Sequence, residues 1–138
     1  MTNLSDHDRQ IIEAFRANGG TVGGYFAGVP LLLLTTIGAK SGQPRISPLA
    51  YLSEGGHIYI FAGNRGAATN PNWYHNLIAH PDVIVELGAE KFEAIATVVE
   101  SAEWDRLSRI QLQKLPSLAA VGAKTTRKIP VVLLERKA

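Results

Sequence analysis

The chain predicts a mainly β domain of the α+β class, an antiparallel barrel of six strands with helices at its periphery. Three observations carry this. Six short apolar segments, bounded by turn residues, are joined largely by hairpins and seldom by helical crossovers, which favours an antiparallel closed sheet over a doubly wound one. The first of them is not followed by the G-x-G-x-x-G turn that brings backbone against a dinucleotide pyrophosphate. The 138 residues, 46% hydrophobic and 19% charged, are enough to bury one core without staples.

The elements follow in order. Ser5 is placed to cap a helix that runs to about Asn18, with Asp6 and Asp8 in its first turn and Gly19 and Gly20 at its end. Its apolar face of Ile11, Ile12 and Phe15 has to dock, on the body of the domain, on a partner or on a membrane surface. Residues 1–18 therefore form an N-terminal helix and 19–138 a single barrel domain. The segment 19–28 packs five glycines around Val22, Tyr25 and Phe26, too hydrophobic for a linker and suited to a lid.

Residues 31–37 read as a buried strand, and Gly38, Gly42 and Pro44 force a turn into a second strand over 45–51. Glu54-Gly55-Gly56 turns the chain into a third strand, 57–62, antiparallel to the second. After a glycine-bearing loop, Asn70 caps a short helix over 71–79 with Pro71 in its first turn. Strands at 83–87 and 91–100 flank the turn Gly88-Ala89-Glu90. Ser101 then caps a helix over 102–115 that Pro116 stops, residues 117–128 make a short helical turn and a basic loop, and 129–135 is the last strand.

The tip of the first hairpin carries Lys40, Ser41, Gly42 and Arg45: two fixed positive charges, a hydroxyl and backbone N–H groups that glycine allows to converge. Such a tip is often no more than a solubilising turn, and the spacing is not that of a Walker loop. The distribution of charge favours an anion cradle. The net charge is only +2, yet between Ala14 and Pro81 the sole acidic residue is Glu54, against the basic Arg16, Lys40, Arg45 and Arg65. Four spaced charges suit a phosphate or carboxylates better than a polynucleotide, so no nucleic-acid partner is expected. Trp73 and Asn76, three apart on one helix face, would offer a stacking wall and an amide to a flat heteroaromatic ring, where core anchoring is the ordinary alternative.

The absence of cysteine removes disulfides, thiolate metal sites and thiol nucleophiles. His7, His57, His75 and His80 have no ligand spacing, so no metal is expected. No side chain has a sequence reason to be an activated nucleophile. The longest apolar run, 29–34, is far below the ~20 residues of a membrane span, and the first residues lack a signal-peptide pattern. A cytoplasmic protein is expected, with membrane association through the Ile11, Ile12, Phe15 face as the alternative.

Together, FRANGGTVGGYFAGVPLLLLTTIGAKSGQPRISPLAYL, NPNWYHNLIAHPDV and TTRKIPVVLLE resemble the deazaflavin-dependent nitroreductase family of actinobacteria, over about residues 15–135. The resemblance implies a split β-barrel of the FMN-binding-like kind that binds coenzyme F420, a 5-deazaflavin with a phosphate and an oligoglutamate tail. It implies hydride transfer from the reduced coenzyme to a small acceptor: a quinone, a nitroheterocycle or a conjugated lactone. By position, Lys40, Ser41, Gly42 and Arg45 would hold the phosphate and tail, with Pro48 at the side of the ring. Ala62, Gly63, Asn64, Arg65 and Gly66 would lay backbone along the deazaflavin, and Trp73 with Asn76 would close the pocket.

Where family members often carry Ser-Lys in the loop after the third strand, this chain has Gly63-Asn64, with Arg65 as the nearby charge. Tyrosines that some members place near the substrate correspond to Leu115, Leu118 and Val121, which implies a more apolar acceptor than a nitroimidazole. Two alternatives stand beside this reading: the same barrel with FMN, or a carrier that binds deazaflavin without turnover. Related split barrels often form homodimers.

Overall fold

A computed structural model describes residues 6–19, 30–62, 69–114 and 128–137. In chain order they form α1 (Asp6–Ala17), β1 (Leu31–Ile37), β2 (Pro44–Ala50), β3 (Leu52–Glu54), β4 (His57–Phe61), α2 (Asn72–Ala79), β5 (Asp82–Leu87), β6 (Glu90–Val98), α3 (Ser101–Lys114) and β7 (Val131–Arg136). The lid expected over 19–28 and the turn and loop expected over 117–128 fall almost wholly outside the described residues.

The strands make one antiparallel sheet of seven, in the order β2-β1-β5-β6-β7-β4-β3. The six-strand expectation is corrected at one residue. The strand predicted over 45–51 stops at Ala50, and a separate strand begins at Leu52. β2 stays with β1, whereas β3 pairs with β4, so the predicted third strand meets the second only through that detached segment. Ala50 and Leu52 are two residues apart and at most about 7 Å apart along the chain. They nevertheless belong to the opposite edges of the hydrogen-bonded order. The sheet therefore has to curl until its edges approach each other, with Tyr51 as the corner, its N–H donating to Pro30 O at 3.1 Å.

The four consecutive leucines of β1 are buried on both faces because each face is covered. Leu32 and Leu34 join the interior cluster with Ile60, Ala62, Val83, Val85, Val132 and the α2 side chains Trp73 and Leu77. Leu31 and Leu33 face outward against Ile11, Ile12 and Phe15 of α1, with Ile46 and Ala50 at the margin. That apolar helix face is thus spent on the protein's own sheet, and it is not available to a membrane. Among the described residues no helix is long and apolar enough to cross one. On the other flank, α3 covers the outer side of β3, β4 and β7 through Leu107, packed with Leu52, Tyr59 and Val131. Trp104 anchors this layer: its indole N–H donates to Ile129 O at 2.6 Å, and the Lys128 ammonium lies 4.5 Å from its ring centre.

Helix boundaries shift slightly from expectation. The N-cap of α2 is Pro71, in extended backbone, and no side chain caps it, so Asn70 lies one residue outside that position. Glu100 O accepts the first helical bond of α3, from Trp104 N–H at 2.8 Å, so Ser101 is inside the helix. The edge strand β2 holds Pro44 and Pro48, residues that lack a ladder donor and are tolerated at an edge.

Candidate functional site

The first hairpin ends in a six-residue tip between Ile37 and Pro44, which are register partners. Its shape comes from its own hydrogen bonds. Gly38 N–H donates to Gln43 O at 2.8 Å, Gly42 N–H to Gly38 O at 2.9 Å, and Gln43 N–H to Ser41 Oγ at 3.2 Å. Gly42 has φ +69°, a conformation that side chains other than glycine seldom adopt. A Cβ on Gly38 would sit 2.4 Å from Ser41 Oγ and 3.3 Å from Gln43 O. Gly38→Ala is accordingly expected to swing the Ser41 hydroxyl away and break its bond to Gln43, costing about 1 kcal/mol of stability, measurable by urea unfolding. An unchanged midpoint would mean that the tip does not hold this shape.

Asn76 of α2 fastens the tip to the body. Its Oδ1 accepts from Ala39 N–H at 3.0 Å, and its Nδ2 donates to Thr36 Oγ1 at 3.2 Å. Asn76 and Thr36 are the buried polar side chains among the described residues, at 8% and 0% exposure, and each satisfies the other. Arg45 is the register partner of Thr36, so it projects on the same side of the sheet, towards α2. Pro48 pairs with Leu33 and belongs to the other side, with Ile46 and Ala50.

Lys40 is exposed on the tip and Arg45 half-buried beside it, and neither has a carboxylate partner among the described residues. Several other cations are committed. Arg16, one of the four basic residues counted towards an anion cradle, forms a two-pronged pair with Glu86, at 3.0 and 2.8 Å, that locks α1 to β5. Hydrogen bonding to Glu86 pushes the guanidinium further above its ordinary range. Lys114 pairs with Glu54, the single carboxylate of that basic half.

Trp73 is 8% exposed in the interior cluster and shares it with Ala62, whose N–H donates to Pro130 O at 3.0 Å as β4 ends. The structure thus brings Lys40, Ser41, Gly42 and Arg45 together on one hairpin and ties that hairpin to the helix bearing Trp73 and Asn76, with Ala62 in the same core. Gly63, Asn64, Arg65 and Gly66 lie outside the described residues, as do Leu115, Leu118 and Val121. A depression of about 340 Å³ on α3, lined by Trp104, Asp105, Ser108 and Arg109, includes none of the nominated residues. Among the described residues no cluster of three or more His, Cys, Asp or Glu could hold a metal. Sequence reasoning missed Thr36 as part of this arrangement. The available signal was a pair of threonines ending a leucine run.

The described residues thus form a curled antiparallel sheet with a cationic tip that has no ion-pair partner among them, tied to a tryptophan-bearing helix, an arrangement with charge to offer an anionic small molecule. The comparisons agree with that class and sharpen it. The sequence profile of the F420H(2)-dependent quinone reductases matches residues 7–136. An F420H(2)-dependent quinone reductase of Mycobacterium tuberculosis is 37% identical over 127 residues, spanning 89% of this chain and 85% of that one. A solved F420-H2 dependent reductase, FDR-A, superposes with a TM-score of 0.69 at 34% identity, over 77% of this chain and 94% of that one. A structure described as a domain-swapped dimer gives a TM-score of 0.71 at 33% identity, over 94% and 98%.

The chain belongs to the F420H(2)-dependent quinone reductase family. It is an oxidoreductase whose cofactor is coenzyme F420. The residues present fit that group: an acidic tail needs unclaimed cations, and Lys40 and Arg45 have no carboxylate partner among the described residues.

Proposed function

We propose that this protein transfers a hydride from reduced coenzyme F420 to a quinone or a comparably apolar acceptor, with the first hairpin tip holding the anionic end of the coenzyme. The observation that carries this is the pair Lys40 and Arg45, uncompensated by any carboxylate among the described residues and projecting from a tip tethered to α2. In this reading Lys40, Arg45, Ser41 and the Gly42 backbone bind phosphate and carboxylates. The segment from Ala62 to Gly66 borders the ring, and Trp73, on the helix that also carries Asn76, forms the wall behind it; Pro48 faces the α1 side of β2 and is left out of this pocket.

When bound, the reduced deazaflavin supplies a hydride, because carbon replaces the reactive flavin nitrogen and two electrons leave together. The chain's own part is to bind, orient and shelter. The charged tip would hold the tail, and the hydrogen-bonded link from the tip to α2 would orient the coenzyme relative to Trp73. No side chain is nominated as a proton donor. The curled sheet is read as the split barrel of the FMN-binding-like kind, and Leu115, Leu118 and Val121 favour an apolar acceptor. A cytoplasmic location suits a soluble coenzyme. A homodimer is the assembly that the domain-swapped relative favours, and light scattering on the purified protein tests it.

The functional test is anaerobic. Protein mixed with reduced coenzyme F420 and menadione should oxidise the coenzyme over many turnovers, whereas nitroimidazoles should react more slowly. Binding of the coenzyme without turnover on any quinone would instead make the protein a carrier.

A further inference from the structure

We infer that Asn76 and Thr36 are positioning residues for coenzyme binding, acting on the coenzyme's anionic end through the hairpin tip and not by touching the ring. This rests on the reading that the tip holds that end. A carboxamide offers an oxygen with two lone pairs at one end and two N–H donors at the other. In Asn76 the oxygen is engaged by Ala39 N–H at 3.0 Å and the nitrogen by Thr36 Oγ1 at 3.2 Å, with the residue 92% buried, that is, 8% exposed. These bonds point both ends of the amide at the tip and at β1, and at 8% exposure its remaining N–H and lone pair are turned from solvent, so its work is between protein groups.

Its partners show what it controls. Ala39 precedes Lys40, so holding the Ala39 N–H fixes the backbone from which the Lys40 side chain departs. Thr36 is the register partner of Arg45, so the same amide fixes the strand position opposite the second cation. One side chain on α2 therefore sets both positive groups relative to the helix that carries Trp73. The internal hydrogen bonds of the tip preserve its shape but do not by themselves orient it on the body. Thr36 is fully buried, and without its hydroxyl the Asn76 NH₂ would lose a partner where water does not reach.

The experiment compares two probes by fluorescence titration: coenzyme F420 with its phosphate and glutamates, and the same deazaflavin ring and ribityl chain without them. Wild type should bind the tailed probe the more tightly. Asn76→Ala should weaken the tailed probe about 10-fold, as expected for one hydrogen-bonded link, and the tailless one less than about 2-fold. Equal losses on both probes would overturn the inference, because they would place Asn76 at the ring while leaving the cationic tip intact. A wild type indifferent to the tail would overturn the tip itself.

Thr36→Val keeps shape and burial and serves as the variant that folds. It should lower affinity for the tailed probe alone, by about 3-fold, with Thr36→Ser restoring it. No change in Thr36→Val, or no rescue by Thr36→Ser, would also overturn the inference. A purely structural role would not discriminate between the two probes.

Discussion

Replacing both Lys40 and Arg45 with alanine is expected to weaken coenzyme F420 binding by about a hundred- to ten-thousand-fold. Each charge-assisted contact contributes about 1.5 to 3 kcal/mol, and ~1.4 kcal/mol is one factor of ten. Single variants should therefore lose about 10- to 100-fold each, and the double variant close to the product, less whatever the two neighbours share. Folding should be nearly untouched, since neither cation has an ion-pair partner among the described residues. Arg16→Ala is the control. Its guanidinium is occupied by Glu86, so coenzyme affinity should stay at the wild-type value while α1 loses a mostly exposed bridge, for which up to about 1 kcal/mol is expected. Wild-type affinity should also fall as salt is raised, because an exposed charge such as Lys40 is screened. Titration curves unchanged in the double variant would remove the anion tip from the mechanism.

Phe15→Ala should be the most damaging single change to the fold. Phe15 is 1% exposed, wedged by α1 onto Leu31 and Leu33 with Ile46 and Ala50 beside it. Truncating a buried phenylalanine costs about 3 to 5 kcal/mol, from lost transfer energy and from the cavity left behind. Native domains have about 5 to 15 kcal/mol in total, so the variant should unfold at a much lower urea concentration with an unchanged slope. A loss below about 1 kcal/mol would mean that α1 lifts off the sheet without unfolding it. In that case the outer faces of Leu31 and Leu33 would become exposed in solution, and the helix would be an accessory rather than part of the core.

The strands and helices were legible where glycine and proline punctuate the chain. Pro81 closes α2, Gly88 separates β5 from β6, and the alternation of the β4 segment marks it as half-buried. The break between β2 and β3 was not legible. From Pro48 to Ser53 nothing among the residue types interrupts an extended pattern, and the corner at Tyr51 is imposed by what each half pairs with, β1 on one side and β4 on the other.

The cationic tip was readable because its residues are contiguous. The duties of Asn76 and Arg16 were not, since their partners lie 37, 40 and 70 residues away and nothing local announces them. The four leucines signalled burial, but the sequence could not say that one pair faces an interior and the other a helix. The Ile11, Ile12, Phe15 stripe has the same ambiguity. Periodicity reveals that a face must be covered, and only the packed sheet reveals by what.

The place of β7 between β6 and β4 bears on how the protein is made. Residues 131–136 supply the lateral partner for the β3–β4 hairpin, which among the described residues pairs with no other strand of the sheet. While the ribosome still holds those residues, the emerging chain can assemble β2-β1-β5-β6 but must leave that hairpin adrift with its apolar side unprotected. Completion waits for β7, which follows the other described strands in the chain, a late, long-range step of the sort that makes nascent β proteins slow and dependent on chaperones.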